Sequence, residues 1–268
     1  MQKTIGFIGA GNMGQAIMGG ILKSKLVSAV DIIMSDLSEE RLELAKECGI
    51  KVTKDNKEVA KLSDILVLSI KPNIYSLVIK EIKDYIKNDV IIITIAAGKD
   101  ICSTEESFGR KVKVVRAMPN TPALVGEGMT AIVPNEKLTT DEVDEVVKIF
   151  NSFGKVEIVS EKLMDAVTSV SGSSPAYVFM FIEAMADAAV LDGMPRDQAY
   201  RMAAQAVLGA AKMVLETGKH PGALKDMVCS PAGTTIEAVA TLERTGFRSS
   251  IISAMQSCTK KSIEMSKK

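Results

Sequence analysis

The sequence predicts an α/β protein in which a doubly wound parallel sheet is followed by an all-helical domain. Three observations carry this reading. An apolar strand, Ile5 to Ile8, runs straight into Gly9-Ala10-Gly11-Asn12-Met13-Gly14. Two continuous apolar runs, Ile65 to Ile70 (ILVLSI) and Val90 to Ile95 (VIIITI), have the character of parallel strands covered on both faces. Strand-like segments then stop near residue 160, and the remainder reads as helix. Alternating strands and helices followed by helices alone give two domains, residues 1–160 and 161–268.

Taken in order, the first strand and glycine loop are followed by a helical pattern in Ala16, Ile17, Gly20 and Ile21. The G-x-G-x-x-G spacing is weak alone. Between a strand and a helix, at the start of a βαβ unit, it becomes the dinucleotide fingerprint of a Rossmann-type sheet. Gly9 permits the tight turn, Gly11 lets backbone approach a pyrophosphate, and Gly14 lets helix and strand pack closely. A second strand, Asp31 to Ser35, ends in Asp36, where the fingerprint places an acidic residue roughly 20 positions on. An Asp there accepts hydrogen bonds from the ribose hydroxyls of NAD. It would meet the 2′-phosphate of NADP as a like charge, on the order of 4 kcal/mol per unit charge at contact. The alternative is that Asp36 or Ser38 only caps the next helix, Glu39 to Glu47. A helix over Ile74 to Ile86 and shorter strands at Val112 to Arg116 and Thr130 to Val133 complete this half. Loops just past the strand ends hold Lys71-Pro72, Ala96-Ala97-Gly98 and Met118-Pro119-Asn120-Thr121-Pro122, and ligands of open parallel sheets bind outside those ends.

The second half reads as helices at Leu163 to Val170, Pro175 to Asp192, Arg196 to Glu216, Leu224 to Val228, Thr235 to Glu243 and Phe247 to Lys267. Ser174 is expected as N-cap with Pro175 at the first helical position. The helix that follows, AYVFMFIEAMADAAVLD, is apolar on nearly every side, with only Glu183 and Asp187 before its end. Such a helix must be surrounded. By length it falls short of a bilayer span, and the expected cover is a second subunit.

Composition fits an ordinary enzyme. The 268 residues carry 33 basic and 33 acidic side chains, so no global field draws the chain to nucleic acid or a membrane surface. Cys48, Cys102, Cys229 and Cys258 lie far apart, without C-x-x-C spacing; they read as reduced thiols of a cytoplasmic protein, with no metal site or disulfide framework. The N-terminal apolar stretch is explained by the glycine turn, and no A-x-A-like cleavage site follows it.

Near the end, Leu224 to Glu243 reads LKDMVCSPAGTTIEAVATLE. Pro231 cannot continue the preceding helix, Gly233 supplies free backbone geometry, and Thr234 or Thr235 can cap the next helix. Unpaired N–H groups and hydroxyls would converge at a helix N-terminus, a ready site for a small carboxylate. The single histidine, His220, precedes Pro221 in a loop, and a capping role suits it better than catalysis.

With these residues in view the chain resembles the pyrroline-5-carboxylate reductases over almost its whole length. Four segments carry the likeness: GFIGAGNMG, MPNTPA (Met118 to Ala123), SGSSPAY (Ser171 to Tyr177) and LKDMVCSPAGTTIEAVATLE. The resemblance implies a Rossmann domain, a helical dimerisation domain and the reduction of 1-pyrroline-5-carboxylate to L-proline with NADH or NADPH. It implies cofactor contacts from Ile8, Gly9, Ala10, Gly11, Asn12, Met13 and Gly14, from Asp36 and Asn56, from Ser69, Ile70, Lys71 and Pro72, and from Ala96, Ala97 and Gly98. It places the substrate carboxylate on the turn that includes Ser230, Gly233, Thr234 and Thr235, supplied by the neighbouring subunit, with Glu161 close by. It further implies a homodimer, larger rings being left open. Asp36 departs from the small or basic residues of many NADPH-preferring members, and Met227 stands where a polar residue is common.

The chemistry asks for orientation more than side-chain acids: a protonated cyclic imine is already a strong hydride acceptor. Thr235 is assigned the hydroxyl that hydrogen-bonds the ring nitrogen; Lys71 reads equally as an acid or as a solvated neighbour of the cofactor, and no catalytic role is assigned to it. A β-hydroxyacid dehydrogenase would want a Lys in Pro175 to Asp192, which has none. A cofactor-binding scaffold would share the fold without turnover, and the intact SPAGTT turn speaks against it.

Overall fold

A computed structural model of the chain describes residues 3–266; Met1, Gln2, Lys267 and Lys268 lie outside the described residues, and with them the last position of the expected helix to Lys267. The first half alternates β1 (Ile5–Ile8), α1 (Asn12–Lys23), β2 (Ile32–Ser35), α2 (Glu39–Glu47), β3 (Lys51–Thr53), α3 (Asn56–Leu62), β4 (Ile65–Leu68), α4 (Tyr75–Ile82), β5 (Ile91–Thr94), α5 (Ile101–Phe108), β6 (Lys113–Met118), β7 (Gly128–Pro134), α6 (Thr140–Asn151) and β8 (Gly154–Ile158). These strands form one sheet in the order β3-β2-β1-β4-β5-β6-β7-β8. Pairing is parallel except between β6 and β7.

The continuous apolar strands follow from burial on both faces. Ile5, Phe7, Ile65 and Val67 pack with α1 and α6 on one side, while Ile8, Leu66 and Leu68 pack with α3 and α4 on the other. The β1–β4 boundary is the switch point of the sheet, and the glycine loop opens there.

Several expected boundaries shift. Residues Ala29–Asp31 make a 3₁₀ turn, so the second strand starts at Ile32. The ILVLSI and VIIITI strands end at Leu68 and Thr94, because their last residues turn out into the ligand-side loops. The expected 74–86 helix spans Tyr75–Ile82, after a 3₁₀ turn at Pro72–Ile74. The expected strand over 130–133 extends to Gly128–Pro134 and runs antiparallel. The short β3 and β8, and α3, α5 and α6, were not anticipated. β3 and β8 lie at the sheet's two ends with partly exposed side chains, so they lack the apolar run that marks the central strands.

The second half is helical: α7 (Met164–Val167), α8 (Ser174–Leu191), α9 (Arg196–Thr217), α10 (Pro221–Val228), α11 (Thr234–Arg244) and α12 (Phe247–Ser266). The chain divides into two compact units, residues 3–173 with 258–266, and Ser174–Ser257. Between α7 and α8 the backbone winds into a π-turn at Thr168–Gly172. Ser173 is already helical (φ −99°, ψ −21°), so α8 begins without the extended capping residue expected of Ser174. Pro175 still occupies the first turn, where a missing N–H leaves no helical bond unmade.

This continuity corrects the length argument for α8. The helical run Glu161–Leu191 is 31 residues and contains an 18-residue window of mean hydropathy 1.4, long and apolar enough by length and composition to cross a bilayer. The chain itself does not bury α8. Of its residues only Ala186 is buried, whereas Phe179, Met180 and Leu191 are 63%, 69% and 88% exposed.

Candidate active site

The glycine loop forms at the end of β1 because the chain allows nothing larger at two of its three glycines. Gly9 adopts φ +102°, and a Cβ there would sit 2.4 Å from the Ser69 carbonyl oxygen. A Cβ on Gly14 would lie 2.5 Å from the Gly9 carbonyl. Both positions serve the close packing of β1, α1 and the loop after β4. Gly11 differs: its φ is −70°, and nothing among the described residues lies within 4 Å of a Cβ placed there. The protein's own packing does not demand glycine at this helix start. Its open backbone leaves room for a close-approaching ligand, and α1 begins with no side-chain cap and no acidic residue in its first turn. Its first N–H groups therefore stay available to an anion.

Asp36 sits at the end of β2 beside this loop. Its Oδ2 accepts from the Ala10 N–H at 2.7 Å and its Oδ1 from the Ser38 N–H at 2.9 Å. The helix cap is Ser38, whose hydroxyl accepts from the Arg41 N–H at 3.4 Å. Between the two capping candidates the structure thus selects Ser38, and Asp36 is tied to the glycine loop instead. Asn56 opens α3, its Oδ1 accepting from the Ser35 hydroxyl at 2.8 Å and its Nδ2 donating to Glu81 at 3.0 Å. The Ser69 hydroxyl donates to the Gly9 carbonyl at 2.6 Å, fixing the Ser69-Ile70-Lys71-Pro72 turn against the loop. Lys71 stands just before the 3₁₀ turn at Pro72. After β5, Gly98 takes φ +74°, which turns Ala96-Ala97-Gly98 across the same end of the sheet.

Glu161 belongs to the same unit. Its Oε1 accepts from the Ile101 N–H at 3.0 Å and from Arg116 Nη1 at 3.2 Å. Arg116 was not singled out in the sequence. A charged residue inside a strand between apolar neighbours (Lys113 to Met118) was the available signal, because a buried cation needs a partner. Asn120, in the MPNTPA loop, is also buried. Its Nδ2 donates to the Ser171 carbonyl at 3.0 Å and its Oδ1 accepts from the Met129 N–H at 2.9 Å, pinning the π-turn to β7.

The SPAGTT turn lies in the helical unit. α10 starts at Pro221, three residues before the expected start, capped by His220, whose Nδ1 accepts from the Gly222 N–H at 3.0 Å. It ends at Val228, ahead of Pro231. The left-handed residue of the turn is Ala232, at φ +56°, and not Gly233, at φ −83°. Gly233 is small for another reason: a Cβ would stand 2.3 Å from the Ser230 hydroxyl oxygen. Gly233 is also the N-cap of α11, without a side-chain capping bond. Neither Thr234 nor Thr235 caps the helix, contrary to expectation. They are its first two residues, and their hydroxyls and N–H groups share an uncapped helix start. A left-handed Ala costs roughly 1–2 kcal/mol against a right-handed one, part of which glycine's greater chain entropy would offset. Ala232→Gly should therefore raise unfolding stability by up to about 1 kcal/mol. Calorimetry showing a lower Tm for the variant would refute the strain.

Residues 161–265 match a family model described as pyrroline-5-carboxylate reductase dimerisation, and residues 4–98 one described as NADP oxidoreductase, coenzyme F420-dependent. The chain is 52% identical to the pyrroline-5-carboxylate reductase of Escherichia coli (strain K12) over 268 residues, all of both chains. It superposes on the Coxiella burnetii pyrroline-5-carboxylate reductase structure with a TM-score of 0.93 at 34% identity, covering 100% of each chain. The Plasmodium falciparum pyrroline carboxylate reductase structure, with NADP bound, matches with a TM-score of 0.90 at 33% identity, over 99% of this chain and 98% of that one.

Proposed function

From the premise that this chain belongs to the pyrroline-5-carboxylate reductase family, we infer that it reduces 1-pyrroline-5-carboxylate to L-proline with NADH or NADPH, the last step of proline biosynthesis. The observation that carries this is the 52% identity along the entire length of both chains. When bound, the nicotinamide supplies the hydride. The protein's residues bind and orient the partners, which is where catalysis of this reaction lies.

We assign dinucleotide binding to residues 1–160, with the pyrophosphate on the 8–14 loop and further contacts from Asp36, Asn56, Ser69 to Pro72 and Ala96 to Gly98. The fit rests on Gly11, which the packing of the described residues does not require to be glycine. Residues 161–268 are assigned to dimerisation and substrate binding. Ser230, Gly233, Thr234 and Thr235 hold the carboxylate at the open start of α11, and Glu161 borders the substrate. The Thr235 hydroxyl oxygen is assigned to accept a hydrogen bond from the N–H of the protonated ring nitrogen. The turn serves the neighbouring subunit's cofactor, and the homodimer is the functional unit. The enzyme acts in the cytoplasm as a soluble protein; its four unpaired cysteines support that placement. The exposed apolar face of α8 falls within the stretch matched to the dimerisation model, so a partner subunit accounts for it without a bilayer.

The decisive experiment is oxidation of NADH and of NADPH with pyrroline-5-carboxylate as acceptor. Because Asp36 holds the ribose position, NADH should serve at least as well as NADPH by kcat/KM. Asp36→Ser should favour NADPH over NADH by about tenfold relative to the wild type, roughly 1.4 kcal/mol. A wild-type enzyme with strong NADPH preference would remove Asp36 from this role.

A further inference from the structure

Arg116 is a cation with 8% of its surface exposed, and no step assigned above uses it. A guanidinium taken out of water must be compensated by a charge partner. That partner is Glu161, and the compensation involves a third group. The same Oε1 receives Arg116 Nη1 at 3.2 Å and the Ile101 N–H at 3.0 Å. One carboxylate oxygen thus joins β6, the first residue of α5 and the turn at Glu161–Leu163. Asp100, the N-cap of α5, reinforces the junction through the Ser103 N–H at 2.7 Å. Burial would raise the Asp100 carboxyl, but the Ser103 hydrogen bonds and the nearby Arg116 charge hold it below the ordinary carboxylate value.

What this junction holds is the loop between β5 and α5, the segment that contains Ala96 to Gly98. Its other side is also closed. A Cβ on Gly98 would lie 3.3 Å from the Met265 carbonyl oxygen, so the end of α12 rests against it. That end is docked by Ser262, whose hydroxyl donates to Asp165 at 2.6 Å, and by a Thr259–Ser169 hydroxyl pair at 3.0 Å. The strand order fixes what the loop faces. With the pyrophosphate at the end of β1 and one ribose at the end of β2, the other half of a dinucleotide runs over β4 and β5. The β5 loop stands under the nicotinamide half.

We propose that Arg116 and Glu161 are a positioning pair that sets the Ala96–Gly98 loop under the nicotinamide half of the cofactor, an inference that rests on the cofactor reading of that loop. A displacement of about 1 Å of such a support is enough to slow a transfer that depends on orientation by about a hundredfold. Arg116 reaches the reacting groups only through Glu161 and the loop.

The test measures NADH dissociation constants by fluorescence titration of the ligand-free protein, and steady-state kinetics, for Arg116→Met, Glu161→Ala and the double variant. Arg116→Lys and Glu161→Gln, which keep volume, provide folded comparisons if the truncations fail to fold. Each truncation should weaken NADH binding by about tenfold and lower kcat, and the double variant should be no worse than either single one, as for partners in one interaction. Glu161→Gln, whose amide oxygen still accepts from Ile101, should recover part of the affinity. Unchanged NADH affinity in Arg116→Met and Arg116→Lys, or fully additive losses in the double variant, would overturn the pairing. The titration stands even if the wild type fails to turn over pyrroline-5-carboxylate, so the reaction and the pairing fail separately.

Discussion

Thr235→Ala should lower kcat/KM for pyrroline-5-carboxylate by roughly ten- to a hundredfold while NADH affinity stays within about twofold. The magnitude follows from losing one hydrogen bond to a charged group, about 1.5–3 kcal/mol. The structure sharpens this expectation by removing its competitor. Had Thr235 been the N-cap of α11, its loss would act through stability, at about 1 kcal/mol. The cap is Gly233, and Thr235 is the second helical residue, with no capping bond to lose. The melting temperature of the variant should therefore stay near that of the wild type. Thr235→Ser keeps the hydroxyl and should restore turnover. A Thr235→Ala enzyme with full kcat/KM at saturating NADH would exclude the residue as a substrate ligand. A loss of NADH affinity as large as the loss of turnover would place its action on the cofactor instead.

Met180→Lys should convert the assembly into monomers or unfold it, with turnover falling in step. Met180 is 69% exposed on α8, flanked by Phe179 and Phe181, in a helix that the chain's own helices leave largely uncovered. An ammonium group there is soluble in a free subunit and stranded in an apolar interface, where an unpaired charge costs several kcal/mol. Because the substrate turn is assigned to the neighbouring subunit, dissociation removes half of each site. Met180→Leu, of similar volume and no charge, should retain both assembly and activity. Light scattering at micromolar concentration separates the outcomes. A wild-type protein that is monomeric and active would defeat the proposal, as would a Met180→Lys variant that stays assembled with full turnover.

The sequence by itself determined the sheet's centre, the glycine loop and the helical second half. These are features of local pattern: Ile65 to Leu68 and Ile91 to Thr94 are apolar on both faces because both faces are covered. The G-x-G-x-x-G turn is readable because strand, glycines and helix are contiguous. The family was legible for the same reason, in four short segments whose side chains and turns are set by neighbours in the chain.

What the tertiary structure alone decided concerns groups brought together from a distance. Whether Asp36 or Ser38 capped α2 turned on where the Ala10 N–H lies, 26 residues earlier in the chain. The continuity of Glu161–Leu191 through a π-turn is held by Asn120 reaching the Ser171 carbonyl, and no periodicity announces it. Arg116 and Glu161 are 45 residues apart and share an oxygen with Ile101 only because three elements converge at one end of the sheet. Local pattern specifies secondary structure because backbone hydrogen bonds and alternating burial are repeated along the chain. Buried charges and open helix ends are satisfied across it, so their partners become visible only once the elements are packed.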